Sequence, residues 1–317
     1  MAAFAAVLLL LLSISPMVLA IPAAPEYAPA DVPPQLYGQE YAWEGRGTGF
    51  VPPPDGVRNE LQGRSAAPMA LAASVPSSID LSLDPWFPAV GDQGSQGSCA
   101  AWALAYYCYG YQEARDNDWT DAKTNLEHQI SPAWGYNRAS GGQDEGSWME
   151  AVADALCDWG AATMATMPYD EGDCWSWGSE EAFREAPLHR PLETMSLGYE
   201  GDATIEGVKA LIVSGVPVTF AMTSSNLDFF GDNHVLSSRE YAVGLVDHAQ
   251  ALVGYDDSIV EDGERGAFKV VNSWGSDFGD DGFYWMTYDA VKEVGAAGKL
   301  CLTYVVDRVD YEPSALA

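Results

Sequence analysis

The sequence is poor in cations. Its 317 residues carry 15 Lys and Arg, only five of them Lys, against 46 Asp and Glu, for a formal net charge of −31. So few positive groups cannot neutralise a phosphate backbone, which excludes nucleic acid as a partner. An anionic membrane surface would also repel the protein. The deficit is not that of a disordered polyanion. Charged residues make up 19% of the chain and hydrophobic residues 48%, with 12% aromatic, enough for one or two packed cores. Histidine is scarce as well, with four dispersed at positions 128, 189, 234 and 248. None of the five cysteines stands in a CxxC pair, so no zinc pattern exists, and neither a metal nor a cofactor is expected. Internal repeats, heptad runs and a second long apolar segment are all missing.

What is present begins with an apolar run from Phe4 to Leu12, followed by Ser13, Ser15 and Pro16, with small residues at Val18 and Ala20. This pattern predicts a secretory signal at residues 1–20, and therefore an extracellular protein without stable membrane association after cleavage. No Lys or Arg precedes the run. The alternative reading is an uncleaved anchor, since about 20 apolar residues suffice to span a bilayer. Residues 21–75 are rich in Pro, including Pro52-Pro53-Pro54, and read as an extended propeptide or linker. From Val75 onward the sequence holds 40 acids and 12 bases, net −28, so the acidity belongs to the folded part. That part, 76–317, fits one domain or two tightly joined lobes, expected to be a monomer.

The cysteines are Cys99, Cys108, Cys157, Cys174 and Cys301. An odd number in a secreted protein points to a free reactive thiol. Cys157 and Cys174 bracket a loop of ordinary size and are expected to pair. Cys108 and Cys301 pair by elimination only, and both could equally be buried free thiols.

The free thiol is best placed at Cys99. The stretch Asp92-Gln93-Gly94-Ser95-Gln96-Gly97-Ser98 ends there, and an Ala-rich apolar run without a breaker follows as far as Gly110. This puts Cys99 in the first turn of a buried helix, where unsatisfied N–H groups and the helix dipole favour thiolate. Gln93 can supply a neutral N–H donor to an oxyanion. A buried cysteine that merely starts a core helix is the competing reading of this segment alone.

Further on, Val246-Asp247-His248 opens an apolar strand that continues to Tyr255. Phe268 to Asn272, Ser273-Trp274-Gly275, and Gly282 to Met286 read as strand, turn and strand. A Cys at a helix start, a His on one strand and an Asn at the end of the next are the parts of a nucleophile–base–orienter constellation.

These motifs resemble the papain-like cysteine peptidases. Gln93 to Cys99 is similar to the family's nucleophile segment, Asp247-His248-Ala249 to Tyr255 its histidine motif, and Asn272-Ser273-Trp274-Gly275 with Gly279 to Phe283 its asparagine motif. They occur in the family's order, and Cys99 and His248 are 149 residues apart, within the family's interval of about 130–150 residues. The resemblance covers about Pro76 to Tyr304.

It implies an α+β fold of two lobes around a cleft. A helical lobe, about 76–187, carries Cys99, and an antiparallel β-barrel-like lobe, about 188–304, carries His248 and Asn272. It also implies a cysteine-type peptidase, an endopeptidase acting on peptide or protein substrates. In that scheme Cys99 attacks the carbonyl as a thiolate paired with His248, Asn272 orients the imidazole, and Gln93 with the Cys99 N–H forms the oxyanion hole. Trp274 shields the His–Asn bond and, with Gly146 of the Gly141–Met149 stretch, is placed on the substrate side. Two other outcomes are left open by the same residues: acyl transfer to an amine, and a degenerate binding module.

Departures from the family pattern are informative. Gln96 stands where the family usually has a disulfide cysteine, and Ala100 where it has an aromatic. Residues 256–266 lengthen the connection between the His and Asn strands. No long charged helical prodomain is visible, so the means of latency is open. The acidic surface is expected to act on solubility, salt tolerance and steering toward basic or neutral peptides, and to keep His248 protonated.

Overall fold

An apolar, Ala-rich run with no polar face can be helical only if it is buried on every side, and the run after Cys99 is buried in this way. In the computed structural model, which describes residues 46–53, 75–228, 233–297, 300 and 302–306, helix α1 (Cys99–Ala101) passes directly into a π-helical stretch, Trp102–Tyr109, and then into α2 (Gly110–Asp116). Trp102, Tyr106, Tyr107 and Tyr111 face one hydrophobic core, while Cys99, Ala100, Leu104 and Tyr109 face a second. The helix is thus the shared wall of two cores.

The second core is made by helices α3 (Pro132–Ala139) and α4 (Met149–Trp159), with Trp134, Tyr136, Val152 and Leu156 fully buried. Ser131 caps α3 by accepting from the Trp134 N–H, with Pro132 at the first helical position. A short α5 (Glu180–Glu185) follows. The first core lies under a sheet of eight strands: β1 (Ser78–Asp80), β2 (Glu193–Leu197), β3 (Val218–Met222), β4 (Val235–Leu236), β5 (His248–Glu261), β6 (Glu264–Val271), β7 (Phe283–Thr287) and β8 (Leu302–Val306). Their order is β2-β8-β3-β5-β6-β7-β4, with β1 pairing on β5. All pairs are antiparallel except β4 with β7. Helices α6 (Asp202–Val213) and α7 (Tyr288–Ala296) complete this part.

The longer connection expected at 256–266 is the tip of a hairpin. Strands β5 and β6 extend to Glu261 and Glu264, and Asp262 and Gly263 both have φ near the left-handed region (52° and 87°), the two-residue turn that matches strand twist.

The chain divides at Val32–Pro33 into two units. The first lies outside the described residues, as do the expected signal, most of the expected propeptide, and Cys301. Among the described residues no helix is long and apolar enough to cross a membrane, and no His/Cys/Asp/Glu group could hold a metal ion.

The expected Cys157–Cys174 bridge is not formed: both are free thiols, as are Cys99 and Cys108. Cys157 lies on α4, while Cys174 sits in the loop before α5 with its thiol turned to the Gly142 carbonyl (3.6 Å). Sequence spacing gave only loop length, and a bridge also needs the two Cβ atoms to point at each other.

Candidate active site

Cys99 is the first residue of α1, preceded by Ser98, whose side chain makes no capping bond. Its Sγ accepts from the Ala249 N–H at 3.4 Å. His248 opens β5 opposite Met222 of β3. Extending the β5–β6 register (Ala251 opposite Val271) brings His248 alongside the Asn272–Trp274 turn. There the His248 Nε2 bonds to Asn272 Oδ1 at 2.7 Å, and the Trp274 ring stacks on the imidazole, centroids 4.6 Å apart at 21°. Tyr107 of the shared helix donates to the Asn272 carbonyl (2.9 Å), joining helix to sheet at this point. Asp247 turns away and accepts from the Ser224 N–H and hydroxyl (2.8 and 2.9 Å). The structure therefore brings together Cys99, His248, Asn272, Gln93 and Trp274. His248 Nδ1, the nitrogen that would serve the thiol, has no hydrogen-bond partner among the described residues.

Gln93 is fully buried. Its Nε2 donates to the Thr48 and Gln96 carbonyls (3.1 and 2.8 Å), and its Oε1 accepts from the Ser273 hydroxyl at 2.6 Å. Ser273 thus decides which end of the amide faces the cleft, a role not visible in the sequence. If Gln93 serves an oxyanion, Ser273→Ala should lower kcat about tenfold with KM little changed, the scale of one weakened oxyanion donor. Steady-state kinetics on a short peptide checks this.

The cleft between the two parts is filled by residues 46–53 of the protein itself. Gly47 N–H donates to the Gly94 carbonyl (2.7 Å), and Gly49 and Phe50 N–H to Asp247 O (3.1 and 2.8 Å). On the other wall Ser147 N–H donates to Gly49 O (2.9 Å) and Val51 N–H to Ser147 O (3.0 Å), a parallel bridge. Trp274 Nε1 donates to Gly47 O (2.9 Å), and Arg46 pairs with Asp92. Phe50 is buried in the same cluster as Trp148, Met149, Val246 and Ala249, worth roughly 2–3 kcal/mol. The fit needs glycine twice. At Gly49 (φ +104°) an added Cβ would lie 2.3 Å from Gly97 O, and at Gly146 (φ +80°) 2.3 Å from Gly49 O. The expected Gly146 is therefore where close approach occurs, but the backbone groups that bond the strap belong to Ser147. The two glycines of Gly47-Thr48-Gly49, standing in a Pro-rich stretch, were the available signal for this strap.

Burial reverses the electrostatics expected of the site. Cys99 and His248 are both fully buried. Burial pushes the Cys99 thiol up to about 12, outweighing the backbone N–H groups of Ala249, Ala100 and Cys99 that favour thiolate. Burial pulls the His248 imidazole down to about 4, against the opposing bond to Asn272. Burial thus favours the uncharged pair, thiol and neutral imidazole. The expectation that acidic surface charge keeps His248 protonated fails because desolvation dominates inside the closed cleft.

The sign of the pH effect follows. His248 ordinarily titrates near 6.5 and is held near 4 in the closed form, so closure binds fewer protons. Its contribution is fully present above about 6.5 and is lost as pH falls through about 4, up to roughly 3 kcal/mol. In the full-length Cys99→Ala protein, the stability lost between pH 6.5 and 4 should be smaller by about that amount when His248 is Gln. Denaturant titrations of the two proteins measure it.

Residues 75–303 match the family model described as papain family cysteine protease. An uncharacterized peptidase C1-like protein of Acanthamoeba polyphaga mimivirus is 25% identical over 218 residues, covering 65% of this chain and 66% of that protein. Cathepsin B-like CP2 of Giardia intestinalis is 28% identical, covering 63% and 64%. Cysteine proteinase EP-B 1 of Hordeum vulgare is 26% identical, covering 72% and 57%. The chain thus spans about two thirds or less of the length of these relatives. Among solved structures, xylellain, a cysteine protease from Xylella fastidiosa, superposes with a TM-score of 0.62 at 22% identity, covering 83% of this chain and 96% of that one. Digestive procathepsin L 3 of Tenebrio molitor superposes at 0.60 and 17% identity, covering 82% and 76%. At these identities the structural likeness establishes the fold, two lobes around a cleft.

Proposed function

Because this protein belongs to the papain family of cysteine proteases, we propose that it hydrolyses peptide bonds through Cys99 and that residues 46–53 keep it latent. Once the strap leaves and water enters the cleft, the desolvation that opposes charge is relieved. His248 Nδ1 takes the thiol proton, and the resulting thiolate attacks the substrate carbonyl carbon. The negative charge that develops on the carbonyl oxygen meets Gln93 Nε2 and the Cys99 N–H. His248 then gives its proton to the leaving amine, and the acyl-enzyme forms. Water attacks the thioester, passes a proton to His248, and releases the acid and the thiol. Asn272 keeps the ring aimed and Trp274 covers the bond between them.

The observation that carries this reading is the Thr48 carbonyl. A backbone carbonyl of the strap occupies the position beside Gln93 Nε2 that an oxyanion needs, 3.1 Å away. The neighbouring strap residues bond to Ser147 and Asp247 as an extended peptide does. The signal-like residues 1–20 support export from the cell, and residues 21–75 support a propeptide. The test is peptide hydrolysis by the full-length protein and by its Cys99→Ala variant, with N-terminal sequencing of any active product. An active product that begins before residue 46, still carrying the strap, would refute latency.

A further inference from the structure

The family's disulfide cysteine is absent at Gln96, yet the loop leading to the nucleophile must still be held against the opposite wall of the cleft. A polar junction does this. Tyr136, on α3, is fully buried. Its hydroxyl donates to Asp144 Oδ1 at 2.6 Å and accepts from the Gly146 N–H at 3.3 Å. The same Asp144 oxygen accepts from the Gly97 N–H at 2.9 Å. The three partners converge so closely that a Cβ on Gly97 would lie 3.1 Å from the Tyr136 hydroxyl, 3.2 Å from Asp144 Oδ1 and 3.2 Å from the Gly146 nitrogen. Gly97 is two residues before Cys99. Gly146 immediately precedes Ser147, whose N–H and carbonyl hold the strap.

We infer that Tyr136 and Asp144 are positioning residues that fasten the nucleophile loop to the peptide-binding wall in place of a disulfide. The inference rests on the peptidase reading for its kinetic consequences only. Asp144 is exposed, so the directed bonds, and not a buried charge, are what matter. Burial and the adjacent Asp144 carboxylate both raise the Tyr136 hydroxyl, keeping it a donor. Neither residue touches a reacting atom. Tyr136 acts through Gly146 on the wall, and Asp144 acts through Gly97 on the loop. Their removal should therefore have separable effects.

The test has two arms. In the full-length Cys99→Ala protein, which cannot process itself, hydrogen exchange followed by mass spectrometry reads the segments 92–99 and 144–148. Tyr136→Phe should accelerate exchange in 144–148, and Asp144→Ala in 92–99, each about fivefold, the factor corresponding to one ordinary hydrogen bond. Asp144→Asn keeps an acceptor oxygen and should exchange like the parent. In the active enzyme Tyr136→Phe should raise KM about fivefold at nearly constant kcat, and Asp144→Ala should lower kcat about fivefold, with Asp144→Asn restoring it.

Unchanged exchange in both segments overturns the fastening, and this holds whether or not the protein cleaves peptides. Altered exchange with unchanged kcat and KM overturns the positioning role. Asp144→Asn behaving like Asp144→Ala overturns the assignment of the bond, since charge alone would then be responsible.

Discussion

The Cys99→Ala variant will fold as the parent does and lose peptide hydrolysis by roughly 10⁴–10⁶-fold, the usual cost of removing a nucleophile that works as one unit with its base. Folding should survive because the change removes one sulfur from a helix start already rich in Ala and disturbs only weak bonds to that sulfur, chiefly the one from the Ala249 N–H. Labelling by a thiol-reactive epoxide should vanish from the cleft as well. The other free thiols among the described residues, Cys108, Cys157 and Cys174, have raised pKa values, chiefly from burial, and should stay unlabelled while the protein is folded. Asn272→Ala belongs beside it. There the nucleophile remains, but the imidazole loses the bond that aims it, and a loss of about 10²-fold is expected. Activity is measured under conditions where the parent protein cleaves a peptide. A Cys99→Ala variant that still cleaves would end the proposed chemistry, and equal losses in the two variants would remove the distinct role given to Asn272.

The second large effect concerns the strap. Gly49→Val should eject residues 46–53 from the cleft, because at φ +104° the new Cβ meets the Gly97 backbone, with its oxygen at 2.3 Å and its Cα at 2.4 Å. Neither backbone can give way cheaply, as the Gly97 loop is held by Asp144 and by Tyr169 on the Gln93 carbonyl. Ejection re-exposes Cys99. If the thiol returns from about 12 to its ordinary 9.0, the thiolate fraction at neutral pH rises about 10³-fold, since each pKa unit is a factor of ten. Epoxide or iodoacetamide labelling of the full-length protein should accelerate accordingly, and any peptidase activity should appear without prior removal of residues 46–53. Far-UV dichroism should stay unchanged, because the strap contributes no helix or long strand. Equal labelling rates in parent and variant would show that the strap is not what closes the site.

Much of this molecule is legible in its sequence, for reasons specific to each residue. Cys99 was readable because a Gly/Ser stretch meets an Ala-rich run there, and local punctuation of the sequence fixes a helix start. His248 and Asn272 were readable because apolar runs and Gly-marked turns define β5, β6 and their ends. Gln93 was readable by its distance from Cys99. The strap was not. Gly47-Thr48-Gly49-Phe50 has no periodicity, and its partners lie far along the sequence, near Gly94, Ser147 and Asp247. Ser273 reads as turn chemistry, although its hydroxyl fixes the Gln93 amide. Tyr136 carried no signal at all, since a Tyr in an apolar helix is ordinarily core.

The sequence by itself determined the candidate site groups, their order and the family, because helix starts, strand periods and motif spacings are encoded over short stretches. It also settled what the acidity excludes. Only the tertiary structure decided the state of those groups. Whether Cys99 is thiolate or thiol depends on its burial, which packing between distant segments sets. Burial opposes the expected imidazolium, because desolvation at short range outweighs a net charge of −31 spread over the surface. The absent Cys157–Cys174 bridge has the same cause: side-chain direction, like burial, is set by packing between distant segments and leaves no mark on spacing.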